Sequence, residues 1–317
     1  MKIALLGASH WHAPCYHNPA REMGHDILLL DEDIEKIRPV AERFAYECSD
    51  DYGRLDRDRP DFAVCLGEHW RMPEYTRMCI DKGIPFLAEK PAGLTADIVE
   101  SLADEADRNG VFQSAALALR MDHPVARIAD ILKSGRLGRV GRLGLTYFAG
   151  PAHRYIKWKN SWVLRKDRAG GGWPYNLGVH LLDMLHFWGF DLDFVAGTRS
   201  QTLNQGEIED LCTMLIRTGG DSYAVVEGGY CATSAFGGYA LSVFAEKGNI
   251  DYRWGTLRVS PADEEEEVTE LGTGDSRARL LEIVLQQSQT GKRAPVDLRD
   301  VARTVRVIEA YYRACPQ

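Results

Sequence analysis

Residues 2–12 run Lys2-Ile3-Ala4-Leu5-Leu6-Gly7-Ala8-Ser9-His10-Trp11-His12, and a second apolar run, Asp26 to Leu30, closes on Asp31. Two short apolar runs separated by a helix-length stretch are the signature of a strand, a crossover helix and a parallel strand. The pattern continues with Phe62 to Leu66 and Pro85 to Ala88. Helix-compatible stretches lie between and after them, at about Glu32 to Phe44, Glu74 to Lys82 and Thr95 to Arg108, and Val111 to Ala116 ends the series. Strands apolar on both faces and spaced by helices predict a doubly wound parallel sheet. Residues 1–120 therefore read as an α/β nucleotide-binding domain.

Beyond residue 120 the texture changes. A helix over about Pro124 to Ser134 stops at Gly135, and alternating runs follow at Arg142 to Phe148, Phe194 to Thr202, Asp210 to Arg217, Tyr223 to Tyr230, Tyr239 to Ala245 and Gly248 to Val259. Alternation with turn residues between runs predicts an open, mainly antiparallel sheet, so residues 121–317 read as an α+β domain. Asp263 to Glu267 reads as a solvated turn. A last helix, about Leu298 to Ala314, carries Val301, Val305, Ile308 and Tyr312 as a buried stripe, placed to pack back on the first domain.

Composition narrows the function. A chain of 317 residues exceeds what one core usually serves. Its net charge of -8 argues against general binding of nucleic acid or anionic membrane, which need basic surface. No apolar run is long enough to span a bilayer, and the sequence opens directly on a strand pattern, so a cytoplasmic protein is expected. The seven cysteines are scattered without a Cys-x-x-Cys pair and read as reduced, mostly buried small hydrophobes.

After the first strand, where a Rossmann chain shows G-x-G-x-x-G, this chain keeps Gly7 and places Ser9 and His12 at the other two positions. Ser9 is small and its hydroxyl can donate to phosphate. Asp31, at the end of the second strand, is placed to bond the ribose hydroxyls of NAD, and Glu32 after it disfavours the extra phosphate of NADP, which stays open. The other reading of Asp31 is a helix cap. His10, Trp11 and His12 read as packing or nucleotide contacts, and with no acidic or cysteine partner at helical spacing the histidines predict no metal site.

Two further stretches carry chemistry. Ile84 to Ala88 ends in Glu89-Lys90-Pro91, which places an ammonium where a parallel sheet opens onto ligand. Gly170-Gly171-Gly172 then leads into a helical pattern from Tyr175 to Trp188, with Asn176, His180 and Asp183 at i, i+4 and i+7 on one face. Amide, imidazole and carboxylate on one face suit substrate binding and proton transfer. A core histidine held by Asp183 is the alternative.

Together Glu89-Lys90-Pro91, the segment Ile128 to Gly138 and the stretch from the glycines to Asp183 resemble the Gfo/Idh/MocA family of oxidoreductases. The resemblance implies a Rossmann domain followed by an α+β domain whose open sheet mediates a homo-oligomer, a dimer or tetramer. It implies hydride transfer between NAD(P) and a secondary alcohol or ketone of a sugar, sugar acid or cyclitol. Lys90 would be the catalytic lysine, before a Pro91 in a cis peptide, and His180 would take the hydroxyl proton, oriented by Asp183. Glu68, Glu89 and Pro91 join Gly7, Ser9, His10, Trp11, His12, Asp31 and Lys90 as expected cofactor contacts. Asn176 would hold substrate, with Trp162 and Arg165, and with Arg154, Tyr155 and Trp158, as an aromatic and charged wall.

The chain departs from the family at three places. Asn176 stands where many members have an aspartate, Leu66-Gly67-Glu68 stands where many have Thr-Pro-Asn, and two loop glycines are replaced. Two other functions stay open: NAD-assisted glycoside hydrolysis or elimination, and non-catalytic binding of a nucleotide or sugar.

Overall fold

The computed structural model describes residues 1–203, 206–233, 238–272 and 274–315. The chain divides into two compact units. The first holds Met1–Leu117 and Arg277–Arg303, and the second holds Ala118–Ser276 and Thr304–Gln317. Residues 277–303, which a boundary at 120 places in the second domain, thus return to the first unit.

The first unit is built on six parallel strands: β1 Lys2–Leu6, β2 Asp26–Leu30, β3 Glu47–Ser49, β4 Phe62–Cys65, β5 Phe86–Ala88 and β6 Gln113–Ala115. Their order is β3-β2-β1-β4-β5-β6, which reverses direction between β1 and β4. An open sheet of this kind binds ligand outside the carboxyl ends of the strands at that reversal. Ile3 to Leu6, Leu28 to Leu30 and Phe62 to Leu66 are buried on both faces, which explains why they read as unbroken apolar runs. Thr95 caps the helix Ala96–Arg108 by accepting from the Ile98 amide at 3.3 Å. The returning segment is fastened to β6: Ser114 Oγ donates to the Val296 carbonyl (2.8 Å) and the Leu298 amide donates to Gln113 Oε1 (2.8 Å).

Three elements here have no counterpart in the sequence reading, one of them the five-residue helix Arg54–Asp58. Strand β3 is three residues long, with Cys48 and Ser49 half-buried and Glu47 exposed, too short and polar to announce itself. The helix Ser276–Thr290 does carry a pattern, with Leu280, Leu281, Val284 and Leu285 buried on one side.

In the second unit, eight strands form one mixed sheet: β7 Val140–Phe148, β8 Asp193–Ser200, β9 Leu211–Arg217, β10 Tyr223–Gly229, β11 Gly238–Ala245, β12 Gly248–Arg253, β13 Thr256–Pro261 and β14 Glu267–Glu270. The order is β14-β13-β12-β11-β7-β10-β9-β8, and every pair is antiparallel except β7 with β10. The stretch Gly248 to Val259 is not one strand. Trp254 (φ 48°) and Gly255 (φ 86°) turn it into the β12-β13 hairpin, and Glu267, at the end of the acidic run, opens edge strand β14. One face is core, with Leu143, Leu145, Met214, Ile216, Val226 and Val243 buried, while Leu215, Tyr223 and Phe244 are exposed.

The expected helix from Tyr175 begins as a π-turn over Pro174–Gly178 and becomes an α-helix over Val179–Phe187. Such a turn inserts a residue into the helical ladder and is common at functional sites. Gly178 has no side chain because the buried Trp173 ring fills the space: a Cβ there would lie 2.8 Å from it.

Candidate functional site

In the first unit the candidate residues gather at the carboxyl ends of β1 and β5. Gly7 has φ +67°, and a Cβ there would lie 2.1 Å from the Leu66 carbonyl oxygen, so the turn out of β1 requires glycine. The Ser9 amide donates to Asp31 Oδ2 (2.8 Å) and the Asp33 amide to Asp31 Oδ1 (3.0 Å), so Asp31 pins the loop to the end of β2. The helix Ile34–Phe44 starts at Asp33 without a side-chain cap bond, so Asp31 acts on the loop and not as that cap. A carboxylate offers about four acceptor positions, so two remain on Asp31 for ribose hydroxyls. Beside it, Glu32 accepts from Arg71 (2.5 Å) and Tyr75 (3.2 Å). Glu68 accepts from the Trp70 indole at 2.7 Å.

His10 stacks on Trp11 with centroids 3.8 Å apart, and its Nδ1 accepts from the His12 amide (3.1 Å). Burial, reinforced by His12, holds the His10 imidazole well below its ordinary value, so it is neutral. Gly7, Ser9 and Asp31 fit an adenine dinucleotide. The His12 amide, which in such a loop faces pyrophosphate, is held by an imidazole that a phosphate oxygen can replace.

Glu89 and Lys90 are both buried, at 2% and 3% exposure, and the Lys90–Pro91 peptide is cis. Glu89 Oε1 accepts from Tyr16 (2.6 Å) and lies 2.9 Å from His12 Nδ1 and 3.8 Å from Arg277 Nε, and Oε2 accepts from the Lys90 amide (3.2 Å). Burial lowers His12 to about 4, with Arg277 adding to it. The geometry agrees with a neutral ring, Nδ1–H toward Glu89 and Nε2 accepting from Arg277 at 3.3 Å. For Glu89, burial acts upward but His12, Arg277 and Lys90 outweigh it, so the carboxyl stays well below the usual range. Desolvation lowers Lys90 to about 8, against the pull of Glu89 and helped by Arg277. An ammonium that can lose its proton near neutrality thus sits at the strand end. Arg277 and Tyr16 were not read from the sequence; Arg277 lies 187 positions after Lys90, and only the fold joins them.

The second unit holds the other candidates. Asn176 is buried in the π-turn and its Nδ2 donates to Tyr155 (2.6 Å) and Tyr230 (3.0 Å). His180 and Asp183 are buried on the helix that follows. Asp183 has a partner the sequence reading did not name: Arg120 donates Nε to Oδ2 (2.8 Å) and Nη2 to Oδ1 (2.5 Å), with its guanidinium 5.5 Å from the Phe187 ring. Arg120 is the one cation in Leu117-Ala118-Leu119-Arg120-Met121, a signal that was there to be read. Gly172 donates its amide to Glu209 Oε1 (2.8 Å), and a Cβ on it would lie 2.6 Å from the Glu209 carbonyl.

Arg154 lies over three rings, 4.6 Å from Tyr155, 5.6 Å from Trp158 and 5.3 Å from Tyr230, and donates Nη2 to the Tyr155 hydroxyl (3.0 Å). Trp162 and Arg165 have other contacts. Trp162 is buried and donates to Asn160 (3.2 Å), and the Arg165 guanidinium faces Asp167 at 3.1 and 2.8 Å.

Residues 125–251 match the family profile of the GFO/IDH/MocA C-terminal domain. Among curated relatives, scyllo-inositol 2-dehydrogenase (NADP(+)) IolW of Bacillus subtilis is 27% identical over 137 residues, 43% of this chain and 37% of that protein. D-apiose dehydrogenase of Paraburkholderia graminis is 23% identical over 271 residues, 82% of this chain and 67% of that protein. The chain thus spans little more than a third of the length of the first relatives it matches. An oxidoreductase of Agrobacterium radiobacter, solved with NAD+, L-tartaric acid and magnesium, superposes with a TM-score of 0.89 at 16% identity, covering 99% of this chain and 96% of that one. That likeness establishes the shared fold.

Proposed function

The chain belongs to the Gfo/Idh/MocA family, and from that premise we propose that it is an oxidoreductase moving hydride between a nicotinamide dinucleotide and a secondary alcohol or ketone of a sugar, sugar acid or cyclitol. The observation that carries this reading is Lys90: a buried ammonium, lowered to about 8, at the carboxyl end of β5, one strand beyond β4 and the reversal, on the sheet edge where α/β sheets bind ligand. The relatives named above act on a cyclitol and a sugar by their names, which gives the substrate class.

When bound, the nicotinamide supplies or accepts the hydride. Gly7, Ser9 and Asp31 hold the dinucleotide. Lys90 donates a hydrogen bond to the reacting oxygen, lowering the cost of charge on it. Glu89, held by His12, Tyr16 and Arg277, fixes the position of Lys90 through the backbone. His180 takes the hydroxyl proton, and the Arg120–Asp183 pair fixes its helix. Asn176, set in place by its bonds to Tyr155 and Tyr230, holds substrate by hydrogen bonding. NAD is preferred, because a 2′-phosphate would meet Asp31 and Glu32 together, and Arg71 is already neutralised by Glu32. The exposed sheet face bearing Leu215, Tyr223 and Phe244 suits a homo-oligomer interface. Seven free cysteines and the nicotinamide cofactor suit the cytoplasm.

A panel of sugars, sugar acids and cyclitols with NAD and with NADP tests the reading, following nicotinamide absorbance and product mass. Net reduction or oxidation that Lys90→Ala abolishes, with NAD binding retained, supports it. Cleaved substrate with unchanged cofactor, or binding without product, overturns it.

A further inference from the structure

We propose that Arg154 is a carboxylate-recognition residue, so that the substrate is a sugar acid or related hydroxy acid and not a neutral sugar. This rests on the oxidoreductase reading above and narrows its substrate. Three observations in the second unit carry it.

First, Arg154 is half-buried and has no carboxylate partner among the described residues; its polar contacts are the Tyr155 hydroxyl (3.0 Å) and the Pro151 carbonyl (3.4 Å). Most arginines of this chain that are withdrawn from solvent face an acid, as Arg120 faces Asp183 and Arg54 faces Asp58. A guanidinium carries five N–H donors, so three of Arg154 are left for a ligand.

Second, the side chain is pre-organised. Stacking against Tyr155, Trp158 and Tyr230 holds the plane of the guanidinium, so less freedom is lost when its fork closes on a planar carboxylate. The Tyr155 hydroxyl also receives Asn176, which ties Arg154 by one shared oxygen to the helix that carries His180. Trp158, 48% exposed and edge-on to Tyr155 (5.5 Å, 89°), leaves a flat apolar face on which a sugar ring can lie.

Third, the charge of the segment is the reverse of the chain's. Residues 151–169 contain six basic residues and one acidic residue, in a protein whose net charge is -8. A local positive field in an acidic protein attracts anions and repels none of its own ligands. One planar fork stacked on aromatic rings matches the plane and single charge of a carboxylate, and the sugar phosphate in the test below separates this from recognition of a phosphate.

The test compares D-glucuronate, D-galacturonate and D-gluconate with D-glucose, D-galactose and D-glucose 6-phosphate, in the whole protein with NAD present. Turnover is followed by nicotinamide absorbance and binding by calorimetry. Three variants are compared with wild type: Arg154→Gln, Arg154→Lys, and the double change Lys157→Gln with Lys159→Gln. The expected result is that acids are preferred over neutral sugars, and that Arg154→Gln weakens the acids on the order of 10- to 100-fold in KM or Kd while weakening neutral sugars much less, so that the acid preference is lost. Arg154→Lys should recover part of the loss, which also shows that the position tolerates change without unfolding. No preference for acids, no binding of any acid, a preference for the phosphate, or an equal loss in the Lys157 and Lys159 variant overturns the proposal. Absence of turnover with every compound defeats the oxidoreductase reading alone, because calorimetry still decides whether Arg154 selects carboxylates.

Discussion

Replacing Lys90 by methionine removes an ammonium that burial disfavours, and the effect on stability has a defined pH dependence. The ordinary lysine value is 10.5, and desolvation lowers Lys90 to about 8 in the folded chain. Below pH 8 folded and unfolded states both hold the proton and the penalty is complete. Between 8 and 10.5 the folded state releases it while the unfolded state keeps it, so stability rises with pH, and above 10.5 the penalty is gone. At about 1.4 kcal/mol for each tenfold change in proton affinity, the gap amounts to about 3 kcal/mol. Urea unfolding of wild type and Lys90→Met from pH 7 to 10.5 isolates this contribution, because the tyrosines titrate in both proteins. Wild type should gain about 3 kcal/mol on the variant across that range. The same ammonium should give the pH profile of carbonyl reduction a descending limb near pH 8. Parallel stability curves would refute the reasoning, because they would mean that Lys90 is as well solvated folded as unfolded.

Glu89→Gln leaves Arg277 and Lys90 without their buried carboxylate and should cost about 3–5 kcal/mol in urea unfolding at pH 7. Because the folded Glu89 value lies below the ordinary one, that advantage of wild type is present above the usual carboxylate range and should shrink as pH falls through the folded value, read by repeating the titration in acid. Gly7→Ala forces a side chain into φ +67° and against the Leu66 carbonyl, and should abolish NAD binding by calorimetry while lowering stability by about 1–3 kcal/mol. Asp183→Asn should cost about 3–5 kcal/mol by stranding Arg120, and the double change Arg120→Met with Asp183→Leu should recover much of it, a double-mutant cycle in urea being the measurement.

The parallel sheet was legible because its strands are buried on both faces, so Ile3 to Leu6 and Leu28 to Leu30 announce themselves as continuous apolar runs. The order of those strands, β3-β2-β1-β4-β5-β6, comes from the structure and was not part of the sequence reading. What escaped were features decided by contacts distant in sequence. The lone cation Arg120 in its apolar run signals a buried arginine in need of an acid, but not that the acid is Asp183, 63 positions later, and nothing in Glu89 points to Arg277. The π-turn escaped for a different reason. Pro174 to Gly178 carries the same apolar spacing an α-helix would, so periodicity does not separate the two. The run Gly248 to Val259 misled because aromatic and branched residues continue through the turn, where Trp254 adopts φ 48°. Of the expected substrate wall, Tyr155 bonds Asn176 and Arg154 bonds Tyr155, whereas Trp162 and Arg165 are engaged by Asn160 and Asp167, a division that residue type alone does not make.

The loss of two loop glycines now has a physical account. In a G-x-G-x-x-G loop the third glycine lets helix and strand approach closely, so the loop is held by backbone packing. Here the third position is His12, and its ring is a strut: Nδ1 bonds Glu89 at the end of β5, and Nε2 accepts from Arg277 on the returning segment. The second position is Ser9, whose amide is tied to Asp31 at the end of β2. Three strand ends are therefore joined through side chains where glycines would join them through backbone contact. Because Glu89 precedes Lys90 and accepts its amide, the strut that shapes the nucleotide loop is the one that places the lysine. The altered loop and Lys90 are then parts of one device, and the sequence departure at Ser9 and His12 argues for a rebuilt nucleotide site and against a discarded one.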